Sequence, residues 1–175
     1  MLEALKKIEE RIQLSPVQKI LLTTDGSITR ILEALTGEEV SISTEKQEVI
    51  KADEEIATKL QIEVGGEVNF RVVNIRSSGG VLMHAISYTP LKRLKKKFRE
   101  DIMKADIPIG KIMARLKIEA RREIMDMGII EADERFSQLF SVKKGSFLLK
   151  RTYNIIHNNE ILLNITEIFP YEAFR

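Results

Sequence analysis

Residues Ala52–Pro90 read ADEEIATKLQIEVGGEVNFRVVNIRSSGGVLMHAISYTP, and Ala132–Pro170 read ADERFSQLFSVKKGSFLLKRTYNIIHNNEILLNITEIFP. The two stretches align without a gap at an offset of 80. Identities fall at Ala52/Ala132, Asp53/Asp133, Glu54/Glu134, Gly65/Gly145, Arg71/Arg151, Asn74/Asn154, Ile75/Ile155, Leu82/Leu162 and Pro90/Pro170. Elsewhere one apolar residue replaces another, as at Val49/Ile129, Ile50/Ile130, Ile62/Val142 and Val81/Ile161. Two copies of one design can face each other and enclose a site between them. The informative positions are then those where the copies differ, and Ser87 in the first is Glu167 in the second.

Each copy carries the same local signals. Asp53 is placed to cap a short helix Glu54–Leu60. Val68–Arg76 and Val81–Thr89 read as strands joined through Ser77-Ser78-Gly79-Gly80, a hairpin that Pro90 ends. Upstream, Ser27 caps a helix Ile28–Thr36 closed by Gly37, and Val40, Ile42 and Thr44 open a strand running to about Ile50. In the second copy Pro108-Ile109-Gly110 opens a short helix to about Leu116. Lys117–Ile130 fits helix or strand by pattern alone, and the repeat decides for a strand over Ile118–Met125. A helix Glu134–Phe140 and a hairpin of Ser146–Ile156 and Ile161–Phe169, turning through His157–Glu160, complete it. Leu2, Leu5, Ile8 and Ile12 mark an N-terminal helix ending near Ser15-Pro16, where proline cannot continue it, and Val17–Thr23 is a short apolar segment. The expected fold is α+β: an internally duplicated, six-stranded, largely antiparallel sheet with flanking helices. It forms one domain over 1–175, with halves at about 28–90 and 109–170.

Composition narrows the function. A chain of 175 residues with 43% hydrophobic residues suits a folded globule. No apolar run reaches membrane-spanning length, and MLEALKKIEERI is too charged for a signal sequence, so a cytoplasmic protein without a membrane partner is expected. The net charge of +2 gives no nucleic-acid signature. The one basic cluster, Lys92–Arg99, overlies Leu91, Leu94, Phe98 and Ile102 at helical spacing. It reads first as the solvated face of an amphipathic helix, and second as a patch drawing anions toward a pocket. With two histidines and no cysteine a zinc site is not expected, and there is no glycine-rich phosphate loop.

Strand alternation puts Ile161, Leu163, Ile165, Glu167 and Phe169 on one face. A carboxylate on so apolar a face must be paired or must shift its pKa upward. Glu167 is therefore either a general acid or base, or a structural partner of Arg71, Arg121 or Arg151, and the second reading is favoured on the residues alone. Arg71 shares its face with Val73 and Ile75, and Arg151 with Tyr153 and Ile155. Each needs an anion, from the protein or from a carboxylated ligand. The helix starts at Ser27-Ile28 and Pro108-Ile109 hold equivalent places in the repeat and offer free backbone N–H groups, for a ligand anion or for capping alone.

Taken in order, Thr24-Asp25-Gly26-Ser27-Ile28-Thr29, Phe70-Arg71-Val72-Val73, Pro90, Pro108-Ile109-Gly110 and Thr166-Glu167-Ile168-Phe169-Pro170 resemble the chorismate lyase (chorismate–pyruvate lyase) superfamily, in its archaeal and mycobacterial branch. The resemblance spans roughly Leu21 to Pro170. It implies a six-stranded antiparallel sheet with an internal, flap-covered site and a reaction that needs no metal or cofactor: chorismate to 4-hydroxybenzoate and pyruvate. It also implies residue roles. Arg71 holds the ring carboxylate with the backbone amides of Ile28 and Ile109, and Glu167 contacts the ring hydroxyl. Bacterial members carry a second Arg near the end of the first hairpin, where Ile86 stands here; Arg151 or Arg121 is then the substitute for the enolpyruvyl carboxylate. The same superfamily contains the UTRA effector-binding domains of bacterial repressors, which the stretches from Ala52 and Ala132 also resemble. Those domains follow a DNA-binding winged helix, and only about 20 residues precede the fold here. A stand-alone effector-binding module is thus the alternative to an enzyme, and a small aromatic or enolpyruvyl carboxylate is the expected partner.

Overall fold

The computed structural model describes residues 1–104 and 107–175. Three helices come first: α1 (Leu2–Glu9), α2 (Pro16–Thr23) and α3 (Ile28–Thr36). Then follow β1 (Ser41–Lys51), α4 (Glu54–Leu60), β2 (Glu67–Ser77) and β3 (Gly80–Pro90). The second half adds α5 (Lys96–Ile102), α6 (Ile109–Arg115), β4 (Arg121–Glu131), α7 (Glu134–Phe140), β5 (Phe147–His157) and β6 (Glu160–Pro170). From β1 to β3, every element recurs 80 positions later with identical length. All strand pairs are antiparallel, in the order β1-β2-β3-β6-β5-β4, so the halves join through their second hairpin strands at the centre. The class is α+β. No helix among the described residues is long and apolar enough to cross a membrane.

The local devices repeat too. Asp53 and Asp133 each accept the backbone N–H three residues on, at 2.8 Å, and cap α4 and α7. Bulges fall at Glu45 and Met125 on the edge strands, and at Leu82 and Leu162 in the inner hairpins. A bulge reverses which face the following residues occupy. Ile161, expected to share a face with Glu167, therefore packs on the other side with Ala52, Ala57, Leu60 and Val68. Leu162 and Leu163 both enter the core beneath α5 and α6.

Other expectations are sharpened or corrected. Val17–Thr23 is helical: Pro16 occupies the first position of α2, where its missing N–H costs nothing, and Ser15 and Gln18 form a reciprocal capping box. The basic cluster is not one helix. It divides into a 3-10 turn Leu91–Arg93 and α5, with Leu94 and Lys95 extended between them. The β4 strand begins at Arg121, later than expected at its start.

One sheet face packs against α1–α3 and against α5 and α6, in two clusters. The opposite face carries α4 and α7, each reaching across to the other half: α4 packs on Ile161 of β6, and α7 on Val81 of β3. Between these two helices runs a buried polar strip. Asn164 donates to Asn154 at 2.8 Å, and at the matching place in the first half the ring of His84 meets Asn74 at 2.8 Å. Asn74 in turn donates to Glu45 at 2.7 Å, and Arg135 donates to the other carboxylate oxygen at 2.8 Å. Burial alone would raise the Glu45 pKa, but the hydrogen bonds from Asn74 and Arg135 outweigh it and hold the group below the ordinary value.

Burial pushes the His84 pKa down to about 4, the Arg135 charge adds to the shift, and Glu45 opposes it. A buried neutral histidine must charge on unfolding at acid pH. His84 thus contributes its full stability above about pH 6.5, and that contribution falls away as the pH drops from there toward 4. Denaturant unfolding at pH 7 and pH 5 will show a loss at pH 5 in the native chain. His84→Asn, which copies Asn164, will show a smaller loss; an equal loss in both would remove His84 as the cause.

Candidate active site between the two halves

The α3 and α6 helices begin above the centre of the sheet. Their first turns, Ser27–Thr29 and Pro108–Gly110, roof a cavity of about 80 Å³. The two starts nearly touch: a Cβ on Gly110 would stand 3.9 Å from Ser27 Oγ. The cavity floor is drawn from both halves. Val73, Ile75 and Ala85 line it from the first, and Tyr153, Ile155 and Ile165, their repeat equivalents, from the second. Arg71, Ser87, Arg122 and Glu167 supply its polar atoms from the sheet.

Cross-strand register explains the pairings. Arg71 stands opposite Ser87 on β3, and Arg151 stands opposite Glu167 on β6. In the second half the position equivalent to Ser87 is thus a carboxylate, and it forms a buried ion pair. Arg151 Nε donates to Glu167 Oε2 at 2.7 Å, with both side chains almost wholly inaccessible. Tyr153 Oη donates to Glu167 Oε1 at 2.9 Å. Burial raises the Tyr153 pKa and the Glu167 charge raises it further, so the phenol remains a donor. The Arg151 guanidinium also lies over the Tyr153 ring, 4.9 Å from its centroid.

Each repeated arginine straps the roof that belongs to the other half. Arg71, on β2, donates to the carbonyl of Ile107 just before α6, at 3.1 Å. Arg151, on β5, donates to the carbonyl of Thr24 just before α3, at 2.8 Å. A third arginine, Arg122 on β4, donates to the carbonyl of Asp25 at 3.0 Å.

Of the residues singled out from sequence, Glu167, Arg71, Ile28 and Ile109 all line the cavity. Arg151 does not; it sits behind Glu167 and holds it. Arg121 is exposed, 3.9 Å from Glu123. Ile86 alternates with the cavity-lining Ala85 and Ser87 and so faces away from the site. Sequence reasoning missed Tyr153 as a partner of Glu167, and missed Arg122 altogether. A signal for Arg122 existed, since Ile42 is an inward strand position and its repeat equivalent is 122 rather than 121.

Removing one member of a buried pair leaves the other charge uncompensated, which costs about 3–5 kcal/mol. Glu167→Gln and Arg151→Met will each destabilise the fold by about that much. The double variant will lose well under the sum of the two, with a coupling of about 0.5–3 kcal/mol in urea unfolding. Additive losses would show that the pair is not coupled.

Comparison with known proteins agrees with this architecture. A Methanocaldococcus jannaschii protein, named only provisionally as a lyase, is 38% identical over 168 residues, covering 93% of this chain and 83% of that protein. The chorismate pyruvate-lyase of Mycobacterium leprae is 25% identical over 173 residues, covering 95% and 80%. Among solved structures, PhnF of Mycobacterium smegmatis superposes with a TM-score of 0.73 at 14% identity, covering 87% of this chain and 67% of that one. Its effector domain alone gives 0.72 at 14% identity, covering 86% and 92%. These neighbours share the fold, which is that of UTRA-type effector domains as well as of chorismate lyases. Residues 22–175 match the family described as chorismate pyruvate-lyase Rv2949c-like, and the chain belongs to that family.

Proposed function

We propose that this protein is a chorismate pyruvate-lyase, converting chorismate to 4-hydroxybenzoate and pyruvate with no metal or cofactor. The observation that carries the reading is one cavity lined by a buried arginine, Arg71, and a buried glutamate, Glu167, between apolar and aromatic walls. A ring with a carboxylate at one end and a hydroxyl at the other fits that set of groups. Arg71 takes the ring carboxylate by charge-assisted hydrogen bonds. The first-turn amides of Ile28 and Ile109, which have no partner within their helices, assist it. Glu167 takes the 4-hydroxyl: each carboxylate oxygen already accepts one hydrogen bond and retains capacity for another. Arg151 and Tyr153 keep that carboxylate in place.

The reaction asks little else of the protein. C4 loses its proton, the C3–O ether bond breaks, and its electron pair leaves with the enolpyruvyl group, which takes up a proton and becomes pyruvate. The ring becomes aromatic, and this drives the step. What remains for the chain is orientation of the ring, exclusion of water by the roof, and proton handling beside Glu167.

Purified protein incubated with chorismate will form 4-hydroxybenzoate and pyruvate in equal amounts, separated by chromatography. Glu167→Gln will lose most of that activity. Arg71→Ala will weaken 4-hydroxybenzoate binding by about 1.5–3 kcal/mol, the value of a hydrogen bond to a charged group. Folded protein that yields neither product would overturn the lyase reading in favour of an effector-binding module, as in the structural neighbours. Unchanged turnover and affinity in Arg71→Ala would overturn the assignment of that residue.

A further inference from the structure

We infer that Arg122 receives a second carboxylate of the ligand, so that the cavity selects a diacid over a monoacid. The inference rests on the lyase reading and assigns a residue to the part of the substrate that leaves. It starts from a break in the repeat. At the inner end of β1 the cavity is lined by Ile42, which packs into the apolar cluster around Ile75 and Met83. The equivalent place on β4 carries Arg122, which lines the same cavity. Arg122 is half-buried opposite Ile155, and the loss of hydration at its buried Nε is a cost that a well-placed anion offsets.

The protein satisfies Arg122 only in part. One terminal nitrogen donates to the Asp25 carbonyl. Among the described residues no carboxylate forms an ion pair with it, and its Nε is buried without a hydrogen-bond partner. Nε and a terminal nitrogen form one of the edges on which a guanidinium binds a carboxylate through two parallel hydrogen bonds. Its charge also reaches the Tyr153 hydroxyl, which is hydrogen-bonded to Glu167. Were Arg122 only a strap for the loop before α3, it would duplicate Arg151, which already holds the adjoining Thr24 carbonyl.

Strand order sets the three groups in sequence across the sheet. Arg71 is on β2, Glu167 on β6, and Arg122 on β4 at the far edge. A ligand spanning them presents an acid, a hydroxyl and a second acid. A ring acid with a hydroxyl and an enolpyruvyl ether has that pattern. Cleavage then divides the anchors: the ring acid stays on Arg71, and the three-carbon acid stays on Arg122 until it departs. Each product keeps one of the two charged contacts that the substrate had.

Calorimetric titration with two non-reacting probes tests this. One is 4-hydroxybenzoate; the other is 3-(carboxymethoxy)-4-hydroxybenzoate, which adds a second carboxylate through an ether. The wild-type protein will bind the diacid more tightly. Arg122→Gln will weaken the diacid tenfold or more and leave 4-hydroxybenzoate within twofold, the retained binding showing an intact fold. Arg122→Lys will recover part of the lost affinity, and the KM for chorismate will follow the diacid. Equal weakening of both probes would make Arg122 a structural strap, and no weakening of either would exclude it from the site. Both results overturn the inference and leave the lyase reading standing. Failure of the wild-type protein to bind either probe would remove the lyase reading and this inference with it.

Discussion

The buried Arg151–Glu167 pair is the interaction on which the site depends. It spans two adjacent strands at 2.7 Å, and each partner extends the link. Arg151 reaches the carbonyl of Thr24 and so ties β5 to the loop before α3; Glu167 takes the Tyr153 hydroxyl and borders the cavity. A charge pair this far from water gains little net stability over a well-packed apolar pair of the same size. What it supplies here is position. A carboxylate held by an arginine on one oxygen and a phenol on the other has no freedom to turn away from whatever occupies the cavity.

Duplication explains both the rigidity and the asymmetry. The two halves exchange their covers: Arg71 holds the start of α6 and Arg151 the start of α3, while α4 packs on β6 and α7 on β3. Neither half closes its own core, and the two meet along the β3–β6 seam. On the face bearing α4 and α7 the copies stay similar, with Asn74–His84 matching Asn154–Asn164. On the cavity face they diverge at Ser87/Glu167, Val73/Tyr153 and Ile42/Arg122. A symmetric cavity suits a symmetric ligand, and these three replacements give the site a direction.

The chain belongs to the chorismate pyruvate-lyase Rv2949c-like family, and its fold is shared with the effector domain of PhnF. A fold does not fix an activity; what lines the cavity does. Here the lining includes a buried carboxylate, Glu167, hydrogen-bonded to the phenol of Tyr153.

Much of this was legible in the chain itself. The offset of 80 gave six strands and two hairpins, and Asp53, Asp133, Ser27 and Gly37 marked helix limits because capping is chemistry between near neighbours. Arg71 and Glu167 stood out because charged residues on apolar strand faces need partners. Other features were not legible. Strand alternation carried past Leu162 put Ile161 on the wrong face, since a bulge is a property of two paired strands and neither shows it alone. Arg121 was singled out and Arg122 was not, because strand phase decides which of two neighbours faces inward. Val17–Thr23 has too few residues for its pattern to distinguish helix from strand, and its capping box became visible only with the backbone. Sequence by itself determined the duplicated α+β sheet and the candidate residues, because period, capping and repetition are local. Tertiary structure alone decided that Arg151 serves Glu167, that Tyr153 completes the pair, and that Arg122 shares the cavity with Arg71. Those contacts join residues on different strands, and only register and the turn of each side chain bring them together.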